Sequence, residues 1–281
     1  MRVLLLLLVG GCFVTEKKPA PDFACEGVSV PATAPAFVTV TGVVRDLAGN
    51  VTLPGVEIQG ISGSLSLTPV ISDSDGVFEF SHETPGTPTN DRVHAQADAL
   101  GLLRTTAYPG IPVSGDAAFE VRMVDMATVI QFAMDAGIIL DQTKAFALVR
   151  VTDCNESPVA GGVLSTTPSA DPIYFRLGGP DNNATDTDAS GIVLFPNLET
   201  PAKVTISGTV GDVQLRDNEV ETLPGEFVQT LARPSRTLDA RAFEAWLACA
   251  FAIASSTIFC CSTGSFQRAW TAGSSVSTGS K

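Results

Sequence analysis

Apolar residues alternate with polar or small residues over most of the chain, in short runs separated by Gly and Pro. The first run is Phe37–Asp46, and comparable runs recur as far as Phe227–Leu231. A period of two residues is typical of strands that bury one face, and Gly and Pro favour the turns between them. The pattern therefore predicts an all-β chain of many short strands.

One stretch, Asp73–Phe80, recurs in similar form at Asp186–Phe195. In both copies an Asp-rich turn closes on a Gly, which tolerates positive φ, and an alternating apolar strand follows. A chain that repeats one unit in this way is built from modules. We predict two seven-stranded antiparallel Greek-key sandwiches, over residues 37–124 and 144–234.

The alternation also indicates which side chains are buried. The residues expected in the two cores are Val40, Val43, Phe78 and Phe80 in the first module, and Val149, Val151, Val193 and Phe195 in the second. Between the modules, residues 125–143 carry apolar residues at helical spacing, with Gly137 as a stop signal. This segment is expected to form a short packed helix that ends near Ala136.

The N-terminus combines Met1-Arg2, the apolar run Val3–Val9 and the small pair before Cys12. It resembles a bacterial lipoprotein signal, which implies removal of residues 1–11 and lipidation of Cys12. Two or more acyl chains give stable membrane attachment. Phe13 stands where an Asp would imply retention at the inner membrane, which favours the outer membrane of the cell envelope. Residues 12–36, with several Pro, are expected to form a semi-extended tether.

Several short motifs occur in the same order in both modules. They are Pro54-Gly55-Val56, the Asp73–Phe80 turn and strand and Gly101-Leu102 in the first copy, and Pro158–Val163 and Asp186–Phe195 in the second. In this order they resemble the carboxypeptidase regulatory-like, or transthyretin-like, sandwich. The resemblance implies accessory modules that provide spacing or partner contact. The second copy departs from the pattern in two ways: by an insert, Ser169–Thr185, and by the lack of a Gly-aromatic pair after its fifth strand.

Composition narrows the choice of partners. The net charge of −13 and isoelectric point near 4.5 leave no basic patch for nucleic acid. His82 and His94 are the two histidines, and no nucleophile elbow, phosphate loop or paired Cys motif for zinc accompanies them. The chain is therefore predicted not to be an enzyme and to hold no cofactor or metal.

Asp186 and Asp188 imitate the start of a calcium loop, but Asn197 replaces the Glu needed at its end. A hairpin turn is the favoured interpretation, with Asp186, Asp188 and the insert residue Tyr174 kept as candidate ligand-binding residues. The predicted function is a membrane-anchored, non-catalytic scaffold or adhesion module, which contacts an envelope protein or glycan. The alternative is a carbohydrate-binding module of a secreted hydrolase system, in which Tyr174 would stack on a sugar from an exposed loop.

The cysteines leave the pairing open. In an oxidising compartment Cys25 could pair with Cys154 or with a cysteine of the tail, where Cys249, Cys260 and Cys261 lie. The tail, residues 235–281, is rich in Ala, Cys and Phe and then in Ser and Gly. It is interpreted as a membrane-associating helix, a partner-docking segment or, preferably, an end foreign to the domain before it.

Overall fold

The computed structural model describes residues 19–235. These residues include strands, one α-helix and one short 3-10 helix, Asp98–Leu100. The strands and the helix are β1 (Phe37–Asp46), β2 (Glu57–Ser62), β3 (Leu65–Ser66), β4 (Val70–Ile71), β5 (Val77–Glu83), β6 (Asp91–Gln96), β7 (Thr105–Tyr108), β8 (Ala117–Met123), α1 (Met126–Asp135), β9 (Ala145–Val151), β10 (Gly162–Thr167), β11 (Ile173–Arg176), β12 (Gly179–Asp181), β13 (Ile192–Leu198), β14 (Ala202–Val210), β15 (Val213–Gln214), β16 (Asn218–Thr222) and β17 (Phe227–Ala232). The predicted all-β sandwich fold is confirmed.

The strands form three sheets, which we name by their position. The long sheet has ten strands in the order β12-β11-β13-β9-β17-β7-β6-β2-β3, with β4 also paired to β2. The front sheet is β5-β1-β8, and the rear sheet is β10-β14-β15, with β16 also paired to β14. The first module contributes the front sheet, and the second contributes the rear sheet. Both contribute strands to the long sheet.

Strand β17 joins the two modules. It pairs in parallel with β7 of the first module on one side and with β9 of the second on the other. Strands β1 and β8 are also parallel. The prediction of purely antiparallel sandwiches is therefore wrong, and residues 19–235 lie within one compact unit rather than in two separate domains.

The two modules cover opposite faces of the long sheet. On β17, Val228 belongs to the core that the rear sheet closes, whereas Phe227 belongs to a cluster beneath α1. Gln229, on the same face as Phe227, lies beside Ala107, which belongs to the core under the front sheet. One face is thus covered by the front sheet and α1, and the other by the rear sheet.

The repeated turns are built in the same way. Asp73 Oδ1 accepts hydrogen bonds from the N–H groups of Asp75 and Val77, each at 2.9 Å. In the second copy Asp188 Oδ1 accepts from the N–H of Ser190 at 2.8 Å. Each turn ends in a Gly with positive φ, Gly76 at 73° and Gly191 at 68°. Asp73 therefore corresponds to Asp188, and not to Asp186, at which the second copy was predicted to begin.

A buried hydroxyl before each turn shows the same repeat. Ser72 Oγ donates to the Leu53 carbonyl at 2.8 Å and accepts from the N–H of Val56 at 2.9 Å. Thr187 Oγ1 donates to the Val159 carbonyl and accepts from the N–H of Gly162, both at 2.8 Å. Each hydroxyl satisfies backbone groups that burial would otherwise leave without partners.

The connector helix forms as predicted. Asp125 is its N-cap and accepts from the N–H of Thr128 at 2.7 Å, and the helix ends at Asp135, one residue before the expected end. Phe132 meets Phe175 of β11 edge to face, with ring centroids 5.4 Å apart. The helix therefore docks on the second module's half of the long sheet.

The N-terminal segment is bound to the second module. Cys25 forms a disulfide with Cys154, the Cys154 N–H donates to the Asp22 carbonyl at 2.9 Å, and Phe23 packs against the core. Residues 22–27, which we call the strap, are therefore not part of a free tether. The chain then runs to the first module, where the N–H of Ala34 donates to the Gly86 carbonyl at 2.9 Å.

Two predicted regions lie outside the described residues, namely the signal with Cys12 and the tail beyond Ser235. No helix within residues 19–235 is long and apolar enough to cross a bilayer.

The predicted cores are largely correct. Val40, Phe78 and all four predicted residues of the second module are buried. Val43 is wrong because residues three apart lie on opposite faces of a strand, and Val44 is buried in its place. Phe80 is half-buried and stacks on Phe78, with centroids 6.3 Å apart.

We expect Phe78→Ala to destabilise the protein by about 3–5 kcal/mol, because it removes a buried ring and leaves a cavity. Val77→Ala, on the exposed face of the same strand, is the matched control and should cost less than about 1 kcal/mol. Urea unfolding of both variants measures the difference. Equal losses of unfolding free energy in the two variants would show that the buried and exposed faces of β5 are assigned wrongly.

Candidate functional site at the seam between the modules

A cleft of about 110 Å³ lies along the seam, on the front face of the long sheet. Gln229 of β17 forms one wall by reaching the free edge of β8. Its Oε1 accepts from the N–H of Arg122 at 2.8 Å, and its Nε2 donates to the Glu120 carbonyl. The side-chain amide thus pairs with one donor and one acceptor on the open edge of β8, as a neighbouring strand would.

Arginines surround Glu120 in this cleft. Arg122 Nη2 donates to Glu120 Oε1 at 2.7 Å, and Arg150 Nη1 lies 3.7 Å from Oε2. Arg45 Nε is 3.8 Å from Oε1. One carboxylate therefore faces three guanidinium groups, and only Arg122 among them is within hydrogen-bond distance of it.

A further ion pair lies at the far end of the cleft. Arg233, whose side chain is 11% exposed, donates from Nη2 to Glu156 Oε1 at 2.8 Å. The Nε atoms of Arg233 and Arg150 are buried and have no hydrogen-bond partner among residues 19–235. Leu148 and Leu231 contribute apolar surface between the charged walls.

These arginines were not predicted from the sequence. Each occurs singly, at or near the end of a strand that otherwise reads as apolar, as in Ala145–Val151. The available signal was the presence of arginine within core strands of a chain poor in basic residues. The strand order that brings them together could not be deduced from it.

A buried polar chain lies at the start of β17. Glu226 is 3% exposed and accepts from Thr106 Oγ1 at 2.5 Å and from the N–H of Leu223 at 3.2 Å. Arg104 Nε is 3.9 Å from Glu226, and its Nη2 lies 2.8 Å from His94 Nδ1. These contacts link β6, β7 and β17 across the joint.

Burial is the main cause of the pKa shifts among these polar residues. It raises the pKa of Glu226, an effect that Thr106 and Arg104 oppose without cancelling. Burial, with Arg104 and Arg92, lowers the pKa of His94 from 6.5 to about 4. Tyr108, whose hydroxyl accepts from the N–H of Glu221 at 2.9 Å, has its pKa raised to about 12, chiefly by burial. His94 is therefore neutral at physiological pH.

The structure places Tyr174 in a strand, not in an exposed loop. The insert forms the hairpin β11-β12, and Tyr174 is 4% exposed within the second core. Its hydroxyl accepts from the N–H of Leu164 at 3.0 Å. The expectation of an exposed ring is wrong because the insert extends the long sheet, and a buried ring offers no face for stacking on a sugar.

Asp186 and Asp188 lie close together but are engaged within the fold. Asp186 pairs with Arg176. Partial burial by itself would raise the pKa of the Asp188 carboxyl. Hydrogen bonds from Ser190 and Leu177 have the larger, opposite effect, so the pKa is lowered. No group of three or more potential metal-ligating His, Cys, Asp or Glu side chains occurs within residues 19–235.

No protein-family model matches the chain, and no curated protein matches it. Among solved structures, the Bacillus anthracis TIE protein is similar over 71% of this chain and 34% of its own length, at 15% identity and a TM-score of 0.26. This chain thus spans about a third of that protein.

Two other solved structures show a similar level of likeness. The shaft pilin spaA from Lactobacillus rhamnosus GG is 10% identical over 73% of this chain and 98% of its own, with a TM-score of 0.23. The dioxygenase domain of a carbohydrate-binding fusion from Streptomyces sp. SirexAA-E is 18% identical over 39% and 92%, with a TM-score of 0.26. These values are too low to support a functional inference.

Gln229→Leu should destabilise the protein by about 1–3 kcal/mol, because it leaves the N–H of Arg122 and the carbonyl of Glu120 unpaired. Gln131→Leu, which removes an exposed amide from α1, should cost about 0.5 kcal/mol or less. Hydrogen exchange at the Arg122 amide gives a local readout and should accelerate only in the first variant. Unchanged exchange there would contradict the bridging role of Gln229.

Stability should fall as the pH drops from 6.5 towards 4, in part because of His94. The unfolded chain binds a proton at this histidine within that window and the folded chain does not, so protonation favours unfolding. His94→Gln keeps an acceptor for Arg104 and removes the titration. The stability advantage of the wild type over this variant should therefore shrink between pH 7.5 and pH 4.5 in urea unfolding. A constant difference would contradict the lowered pKa.

Proposed function

We propose that the protein is a cell-envelope lipoprotein, anchored through Cys12, that serves as a non-catalytic scaffold or adhesion module. Its two modules are proposed to be carboxypeptidase regulatory-like sandwiches, and the outer membrane is the proposed location. The observation that carries this proposal is the continuous long sheet, in which β17 pairs with a strand of each module.

A continuous sheet suits a scaffold because it resists bending between the modules. Bending at the seam would break the backbone hydrogen bonds of β17 on one side or the other. Gln229 and the Arg92–Glu221 ion pair, 2.8 Å long between β6 and β16, add further links between the modules. A body of this kind holds a binding surface at a fixed distance and angle from its anchor.

The disulfide supports a location outside the cytosol. Structural disulfides persist in oxidising compartments, which include the periplasm and the cell surface. The Cys25–Cys154 bond joins residues that are 129 apart in sequence. In the chain-entropy model, closing a loop of that length stabilises the folded state by about 5 kcal/mol.

The disulfide also determines how tension from the anchor enters the fold. The first module lies wholly between Cys25 and Cys154 in sequence, inside the covalent loop. Tension on the N-terminus is therefore passed directly to the second module through Cys154. Only residues 12–22, at most about 35 Å in extended form, would separate the anchor from the strap. This arrangement suits a short, stiff attachment.

The carbohydrate-binding alternative has less support. Tyr174 is buried, and Tyr108 is half-buried with its hydroxyl hydrogen-bonded. Trp246 and Trp270 lie outside the described residues. Neither tyrosine of the chain offers an exposed ring for a sugar.

Cys12→Ser should abolish incorporation of an alkyne-bearing fatty acid and yield a soluble or inner-membrane-retained precursor, because it removes the lipidated sulfur. Cys25→Ser is the matched control. It also removes one thiol, but it should keep the lipid label and the membrane location while exposing the strap to chymotrypsin at Phe23. Labelling of Cys12→Ser at the wild-type level would refute the lipoprotein proposal.

A further inference from the structure

The seam cleft concentrates positive charge in an acidic protein. The chain has 17 Lys and Arg against 30 Asp and Glu, yet four arginines meet two glutamates here. The local balance is an excess of positive charge. Its walls come from both modules, so the cleft exists only when β17 joins them.

The arginines in the cleft keep unused hydrogen-bonding capacity. The Nε atoms of Arg150 and Arg233 are buried without a partner among residues 19–235, and the contact from Arg150 to Glu120 is too long for a hydrogen bond. A guanidinium group has five donors in a planar fork that matches a carboxylate. The terminal nitrogens of Arg150 make no hydrogen bond among residues 19–235, and its side chain is 35% exposed, so they are open to an acceptor that enters the cleft.

The floor between the arginines is apolar. Leu148 and Leu231 lie on the front face of the long sheet, with Phe119 of the front sheet beside them. An inorganic ion would leave this surface facing water. A ligand with a hydrocarbon or aromatic body would cover it and gain from its burial.

We infer that the seam cleft binds a small organic monocarboxylate, whose carboxylate lies between Arg150 and Arg233 and whose apolar body lies on Leu148 and Leu231. A single negative charge suits the site because Glu120 and Glu156 already neutralise part of it. A second charged group on the ligand would have to lie on the apolar floor and lose its hydration there. Such binding is independent of the scaffold role and of membrane attachment.

Titration of the full chain with sodium benzoate, sodium acetate and sodium sulfate, at constant ionic strength, tests this inference. The readout is the pair of Arg150 and Arg233 Nε–Hε signals in ¹H–¹⁵N spectra, assigned from the corresponding Gln variants. Benzoate should shift both signals saturably. It should bind about tenfold more tightly than acetate, because only benzoate covers the apolar floor.

Three variants separate a built site from general charge effects. Arg150→Gln should weaken benzoate binding by about tenfold or more, and Arg150→Lys should give an intermediate loss, since lysine keeps the charge but not the fork. Lys203→Gln, which removes one exposed charge on the rear sheet, should change the affinity by less than about twofold. Thermal melts of each variant confirm that it is folded.

Several results would overturn the inference. Shifts that do not saturate would refute binding of an organic carboxylate at this site. Equal affinities for benzoate and acetate would refute it as well. Sulfate binding as tight as benzoate binding would show an inorganic anion site instead. An equal loss in Lys203→Gln and Arg150→Gln would show that only net charge matters.

Discussion

The two-sided pairing of β17 is the constraint on which this structure depends. A strand between two neighbours must satisfy its backbone donors and acceptors on both sides, and here the neighbours belong to different modules. Without β17, both β7 and β9 would be left with an open edge, which is a site of instability and aggregation. Because β17 is also the last strand of the described chain, the two modules are completed together.

The same constraint explains why two similar modules cover different faces of the long sheet. Their repeated turns and buried hydroxyls are alike, but the front and rear sheets cover opposite faces of the long sheet. This offset leaves the edge of β8 open beside β17, where Gln229 closes it and arginines from both modules converge. The cleft is therefore a product of the fusion, and neither module would form it alone.

Much of the local structure was accessible from the sequence. Phe37–Asp46 was predicted as a strand with the observed bounds, and the connector helix was placed within one residue of its end. Both depend on periodicity and capping, which are local properties. The burial of Val44 in place of Val43 shows the limit of this approach, since Gly42 interrupts the alternation and hides its phase.

The joint between the modules was not accessible in the same way. Which strand pairs with β17, and whether it runs parallel, depends on contacts between distant residues, and a pattern of alternation contains no information on them. Tyr174 illustrates the point, because an insert without a family counterpart was expected to be a loop and is a hairpin on the edge of the long sheet. The cleft arginines were missed for the same reason.

The distance distribution between the modules tests the fused sheet most directly. Spin labels can be attached through a ketone-bearing amino acid at Glu79 in β5 and Val163 in β10, both exposed, which leaves the native cysteines intact. Double electron–electron resonance should give one narrow distribution that broadens in Gln229→Pro, because proline removes a backbone donor from β17. A broad or two-component distribution in the otherwise native chain would show that the modules move independently and would contradict the account.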